Sequence, residues 1–113
     1  MKLVIDDLWS PDLNPPSSGT PADTASFEVL LQVAISEAGA TGREVFSFMA
    51  TSGDRLAAAA PGTFVSHVLV LDEFSWDAIR ARIEKLLRHT ESCAGWREAM
   101  LVLAGCLRAS DNP

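Results

Sequence analysis

The sequence of 113 residues predicts an α+β fold: an antiparallel sheet of about four strands with two C-terminal helices packed on one face, in the order ββββαα. Apolar residues alternate with more polar ones over residues 27–36, which is typical of a strand, whereas they recur at helical spacing over residues 74–89. The strand-like segments come first and the helical ones last, so both helices are expected on the same side of one sheet. The length fits a single domain, residues 1–113.

The segment Phe74–His89 is the clearest helix in the sequence. The Ser75 hydroxyl can accept a hydrogen bond from a free backbone N–H of the first turn. Asp77 near the start and Arg88 near the end suit the helix dipole. The predicted apolar stripe consists of Trp76, Ile79, Ile83, Leu86 and Leu87.

Four strands are predicted before this helix. Residues 2–8 form a short first strand, and Phe27–Ser36 and Glu44–Ser52 form a hairpin around a turn that contains glycine. Phe64–Leu71 is almost continuously apolar, which predicts a strand buried on both faces and therefore central in the sheet. Residues 10–23 are rich in Pro, Ser, Gly and Asp, which predicts a long loop that is functional or partly disordered.

A second helix is predicted from about Trp96 to Arg108, with Cys106 on its apolar stripe as a small core residue. The spacing of Cys93 and Cys106 does not match a zinc site, and no phosphate or dinucleotide motif occurs, so neither a metal nor a cofactor is expected. His67 is expected to be a core or surface histidine rather than a catalytic one. A small enzyme that uses His67 or a carboxylate pair is the alternative hypothesis, and a Cys93–Cys106 disulfide is an alternative that a reducing compartment disfavours.

Charge is distributed unevenly along the chain. Residues 1–79 hold eleven acids and three bases, whereas residues 80–113 hold four acids and six bases, which gives −8 and +2 and sums to the net charge of −6. This excess of acid argues against nonspecific binding to nucleic acid or to anionic membranes. The acidic part either steers a basic partner or is a solvated surface that keeps the protein soluble. Because the start does not resemble a signal peptide and no apolar run is long enough to span a membrane, we expect a reduced cytoplasmic protein.

Five segments, in this order, resemble the bacterial immunity protein 8 family: LWSPDL at Leu8–Leu13, SFEVLLQVAIS, GREVFSFMATS, LVLDEFSWDAIRARIEKLL, and the Trp that opens the last helix. The resemblance spans Met1 to about Leu107, and LWSPDL and FSWDAI are its most specific parts. Residues 56–61 and the end LAGCLRASDNP depart from the family pattern. The resemblance implies the antidote of a polymorphic toxin system: a cytoplasmic, non-enzymatic protein that binds a toxin domain and blocks it.

On this interpretation the partner is a cognate toxin domain, with no nucleic acid and no membrane involved, and the protein itself is a monomer or a weak homodimer. The candidate partner-binding residues, chosen by position and charge, are Asp6, Asp7, Trp9, Asp12, Asp72 and Glu73. The acids would face a basic toxin surface, and Trp9 would supply a buried aromatic contact. The alternative is a small adaptor that self-associates through its helices or through an edge of the sheet.

Overall fold

The computed structural model describes residues 1–59 and 61–109. Its elements in chain order are β1 (Leu3–Trp9), β2 (Glu28–Glu37), β3 (Glu44–Thr51), α1 (Gly53–Ala57), β4 (Val68–Val70), α2 (Trp76–Arg88), α3 (Trp96–Leu103) and β5 (Arg108–Ala109). The predicted α+β class, with the two long helices after the four principal strands, is confirmed.

The sheet has the strand order β1-β2-β3-β4. β1 pairs with β2 and β2 with β3 in the predicted antiparallel sense, but β4 runs parallel to β3. The chain between β3 and β4, which includes α1, leads back along the sheet before β4 begins. β4 lies beside Met49–Thr51, and β5 lies beside Phe46 and Ser47 on the same edge of β3.

The predicted position of the fourth strand is wrong. The strand covers Val68–Val70 rather than Phe64–Leu71, and it lies at the edge of the sheet rather than at its centre. The Phe64 side chain is fully exposed (102%), and Val70 is 48% exposed. A nearly continuous apolar run shows no clear alternation between two faces, so it does not distinguish a strand in the middle of a sheet from one at its edge.

The hydrophobic core lies between one face of the sheet and the two long helices. Ile79, Ile83 and Leu87 of α2 are buried in it, as the helical spacing predicted. The sheet supplies Leu31, Val33, Phe46 and Phe48, and α3 supplies Ala99 and Leu103. The Ser75 hydroxyl accepts a hydrogen bond from the Ala78 N–H (3.1 Å), so the predicted helix cap is also confirmed. The opposite side of the sheet is called the open face below.

The second long helix is shorter than predicted and ends at Leu103. The chain turns at Gly105, and Leu107 returns to the core. Cys106 is exposed, so its prediction as a core residue is wrong. Cys93 is buried, and both thiols are free.

β1 contains a bulge. Its register with β2 shifts between Ile5 and Asp7, so that Asp6 is the extra residue. The bulge reverses the alternation of side chains, which places both Leu3 and Leu8 in the core although they are five positions apart, an offset that would put them on opposite faces of a regular strand. Trp9 therefore lies on the open face.

Candidate functional site

The loop after β1 is held against the sheet by two side chains. The Ser10 hydroxyl donates to the Leu30 carbonyl (2.5 Å) and accepts from the Asp12 N–H (3.1 Å). The Asp12 carboxylate accepts from the Leu30 N–H (2.9 Å). Beyond the end of β1, the Ser10 and Asp12 side chains bond the backbone C=O and N–H of Leu30 in β2, which a neighbouring strand would otherwise bond. The start of the loop therefore continues the edge of the sheet.

The middle of the same loop is attached to α2. The Trp76 indole N–H donates to the Gly19 carbonyl (2.8 Å). Gly19 is buried, and a Cβ at this position would lie 2.8 Å from backbone atoms of Asn14, which is too close for any other residue. The start and the middle of this loop are therefore both joined to the rest of the fold by hydrogen bonds.

The end of the loop brings distant acidic residues together. The Thr24 hydroxyl donates to Glu73 (3.2 Å), and the Thr24 carbonyl accepts from the Phe74 N–H (2.8 Å). Two residues later, the Ser26 hydroxyl donates to Asp54 (2.5 Å). The segment therefore links the start of α1 to the junction between β4 and α2.

These contacts create one acidic end of the molecule, where β1 ends, β2 begins and β3 ends. We call it the acidic end, and its exposed carboxylates are Asp12, Asp23, Glu28, Asp54, Asp72, Glu73 and Asp77. Asp54 accepts from the hydroxyls of Ser26 and Ser52, and these bonds hold the pKa of its carboxyl below the ordinary value of 3.8. It stays ionised at neutral pH, so it adds negative charge to this end.

The structure separates the predicted partner-binding residues into two groups. Asp6, Asp7 and Trp9 lie along β1, where the Asp6 carboxylate accepts from the Ser36 hydroxyl (3.0 Å). Asp72 and Glu73 follow β4, which lies three strand spacings from β1, or about 14 Å. Asp12 belongs to the acidic end, as do Asp72 and Glu73. Trp9 is half-buried, so it exposes only part of its ring.

Sequence reasoning did not find Asp23 and Asp54 as members of the acidic end. The pattern Asp23–x–x–Ser26 is a local signal, because the Asp23 carboxylate accepts from the N–H groups of Ala25 (2.9 Å) and Ser26 (3.2 Å) and so shapes the turn. Such a turn is readable from the sequence. The contact of Ser26 with Asp54 cannot be predicted from the sequence in this way, because it depends on how the whole loop folds.

A second feature that the sequence did not indicate is an apolar surface beside β4. Phe64, Val65 and Val70 are exposed, with Phe64 fully so. A groove on the open face is lined by Phe64 and Val65, with Met49 and Leu56 among its other lining residues. Exposed apolar groups gathered in one place are typical of interaction surfaces.

The histidine considered for catalysis borders another groove, on the helix side of β4. Its lining includes His67, His89 and Cys106, and no carboxylate is among the described residues that line it. The His67 Nε2–H donates to the Ala104 carbonyl (3.1 Å), so the ring is tied to the turn after α3.

Within residues 1–59 and 61–109, no group of three His, Cys, Asp or Glu side chains is placed to hold a metal ion. Among the same residues, no helix has the length and apolar character that crossing a membrane requires.

The chain matches a known protein family. The model of the family described as Immunity protein 8 matches residues 4–107, which is nearly the whole chain. No curated protein and no solved structure matches it.

Proposed function

We propose, from the premise that the chain belongs to the immunity protein 8 family, that it binds the toxin domain of a bacterial polymorphic toxin system and neutralises it by forming a stoichiometric complex. Membership of the family makes the chain an immunity protein, and it implies a toxin as partner in general. The family match over residues 4–107 is the observation that carries the proposal.

The acidic end supports a basic partner surface. Its carboxylates come from the loop, α1 and the junction before α2, so they form one charged surface although they are far apart in sequence. A toxin that acts on nucleic acid needs a basic substrate groove, and a protein that covers this groove with carboxylates blocks the substrate. Inhibition by occupation needs no catalytic group in the inhibitor.

Asp72 and Glu73 are the best residues for testing this proposal. Both are exposed, and the bond between Thr24 and Glu73 is exposed as well. Asp6, Asp7, Trp9 and Asp12 also remain proposed partner contacts. Asp6 and Asp12 are weaker tests because Asp6 accepts a hydrogen bond from Ser36 and Asp12 accepts one from the Leu30 N–H, so their substitution would also change the fold.

The experiment uses the toxin domain encoded beside the gene of this protein. Reversing both charges, Asp72→Lys with Glu73→Lys, changes the net charge from −6 to −2. The matched control, Glu44→Lys with Glu91→Lys, makes the same change in net charge away from the acidic end. Isothermal titration gives the affinity and the stoichiometry, and survival of cells that express the toxin reports protection.

The wild-type protein is expected to bind one toxin domain and to protect the cells. The variant at Asp72 and Glu73 is expected to bind about tenfold more weakly, with most of the change in the association rate at low salt, because exposed charges act mainly by steering. The control should bind as the wild type does. Equal affinity of both variants would remove the acidic end from the interface, and a wild-type protein that gives no protection would end the proposal itself.

A further inference from the structure

We infer that the outer edge of β4 receives an extended strand of the toxin, which adds to the sheet as a further strand. This inference rests on the proposed function, since it names the surface and the mode by which the toxin is held. The occupant is an apolar strand that carries Lys or Arg where it passes Asp72 and Glu73.

The backbone of β4 has N–H and C=O groups on its outer edge that can bond an added strand. The His67 carbonyl accepts from the Met49 N–H (2.9 Å), and the Leu71 N–H donates to the Thr51 carbonyl (2.9 Å). Backbone groups of alternate residues in a strand point to opposite edges. Leu69 therefore also faces β3, whereas the N–H and C=O groups of Val68 and Val70 point outward, where no strand of the described residues pairs with them.

Grooves on the two sides of β4 provide places for the side chains of an added strand. Val68 lines both the groove on the open face and the groove on the helix side. Successive side chains of a strand point to opposite faces, so those of an added strand would lie alternately on the open face and on the helix side. Strand addition takes affinity from backbone bonds and specificity from such alternating pockets.

The lining of the grooves and the charge near the edge define the occupant. On the open face the groove has the apolar side chains of Met49, Phe64 and Val65 beside the charged ones of Glu28 and Arg55, which fits a strand that is mainly apolar and carries some charge. Beyond the end of β4, Asp72 and Glu73 are exposed and match a basic residue of the incoming strand. The edge is thus continuous with the acidic end to which we assign toxin binding.

The other edge of the sheet is less suited to strand addition. β1 carries the bulge at Asp6, and the strand itself contains two exposed charged side chains, Asp6 and Asp7. A bulge and charged side chains are the features by which proteins discourage pairing at an edge. β4 has neither feature within Val68–Val70.

The test is amide hydrogen exchange of the full-length protein, alone and with the adjacent toxin domain made catalytically inactive. In the free protein the amides of Val68 and Val70 should exchange fast, while those of Leu69 and Leu71 should be protected by β3. Toxin binding should slow the exchange of the Val68 and Val70 amides by at least about tenfold. The exchange rates of the Leu69 and Leu71 amides should stay nearly unchanged. Unchanged exchange at Val68 and Val70 in a complex that does form would overturn the inference, while the proposed function would stand.

A pair of variants gives a second measurement. Val70→Pro removes one outward N–H without removing a bond to β3, whereas Val70→Thr keeps this N–H and a branched side chain. Val70→Pro is expected to weaken toxin binding by about tenfold or more, and Val70→Thr by less than about threefold. If Val70→Pro is folded and binds normally, the edge is not used.

If the wild-type protein does not bind the adjacent toxin domain at all, the proposed function is refuted. A free protein that is dimeric by light scattering and already protects Val68 and Val70 would assign the edge to a second copy of this chain.

Discussion

The substitution Ser10→Ala tests how the loop after β1 is held. It removes the hydrogen bond from the Ser10 hydroxyl to the Leu30 carbonyl and the bond that the hydroxyl accepts from the Asp12 N–H. Ser10 is fully buried (0% exposed), so water does not replace the hydroxyl at once. At about 1 kcal/mol for each bond, the free energy of unfolding should fall by about 2 kcal/mol. For a domain of this size that corresponds to a decrease in Tm of about 8 °C.

The assay is equilibrium unfolding in urea, followed by circular dichroism. The matched control is Ser17→Ala in the same loop, where the side chain is exposed and a change within about 0.5 kcal/mol is expected. Asp12→Asn keeps an oxygen that can accept from Leu30, so it should cost less than Ser10→Ala. A loss below about 0.5 kcal/mol for Ser10→Ala, with an unchanged m-value, would refute the view that this serine ties the loop to the sheet.

Two further predictions concern the same end of the molecule. Gly19→Ala should lower the free energy of unfolding by about 1–3 kcal/mol in the same urea assay, because its Cβ would meet the backbone of Asn14. Since the folded pKa of Asp54 lies below 3.8, its bonds stabilise the fold above that pH, and this contribution is lost as the pH falls through the lowered value. Asp54→Asn should therefore be less stable than the wild type at pH 7, and the difference should shrink in acid. A constant difference between pH 7 and pH 3 would contradict this assignment.

The parts of the fold that depend on local pattern were predictable. The helix over Trp76–Arg88 has both an apolar stripe and a capping serine, and the two signals agree on where it lies. The hairpin of β2 and β3 follows from alternation on each side of a turn that contains glycine. Each of these predictions uses residues that are neighbours in the chain.

The incorrect predictions have two different causes. The end of the second long helix could have been found, because Gly105 follows Leu103 closely and glycine often terminates a helix. The edge position of β4 could not, because an apolar run contains no information on which strand lies next to it. Pairing between β4 and β3 depends on the path of the chain from Thr51 to Val68, and that path has no periodic pattern.

The candidate site was predictable only in part for the same reason. Asp72 and Glu73 stand out in the sequence because they end an apolar run. Their association with Asp54 depends on the hydrogen bonds of Thr24 and Ser26, which join segments that are far apart in the chain. Sequence patterns identify single acidic residues, whereas the shape of the charged surface follows from long-range contacts.

The loop of residues 10–23 is held in place by a few buried positions, which affects how its sequence can vary. Its fixed positions, Ser10, Leu13 and Gly19, are buried, whereas the residues between them, such as Asn14 and Ser17, face the solvent. Substitutions at the solvent-facing positions change the surface of the loop without removing a buried contact. Single mutations between the buried positions can therefore change the chemistry of this surface while the fold that presents it is kept.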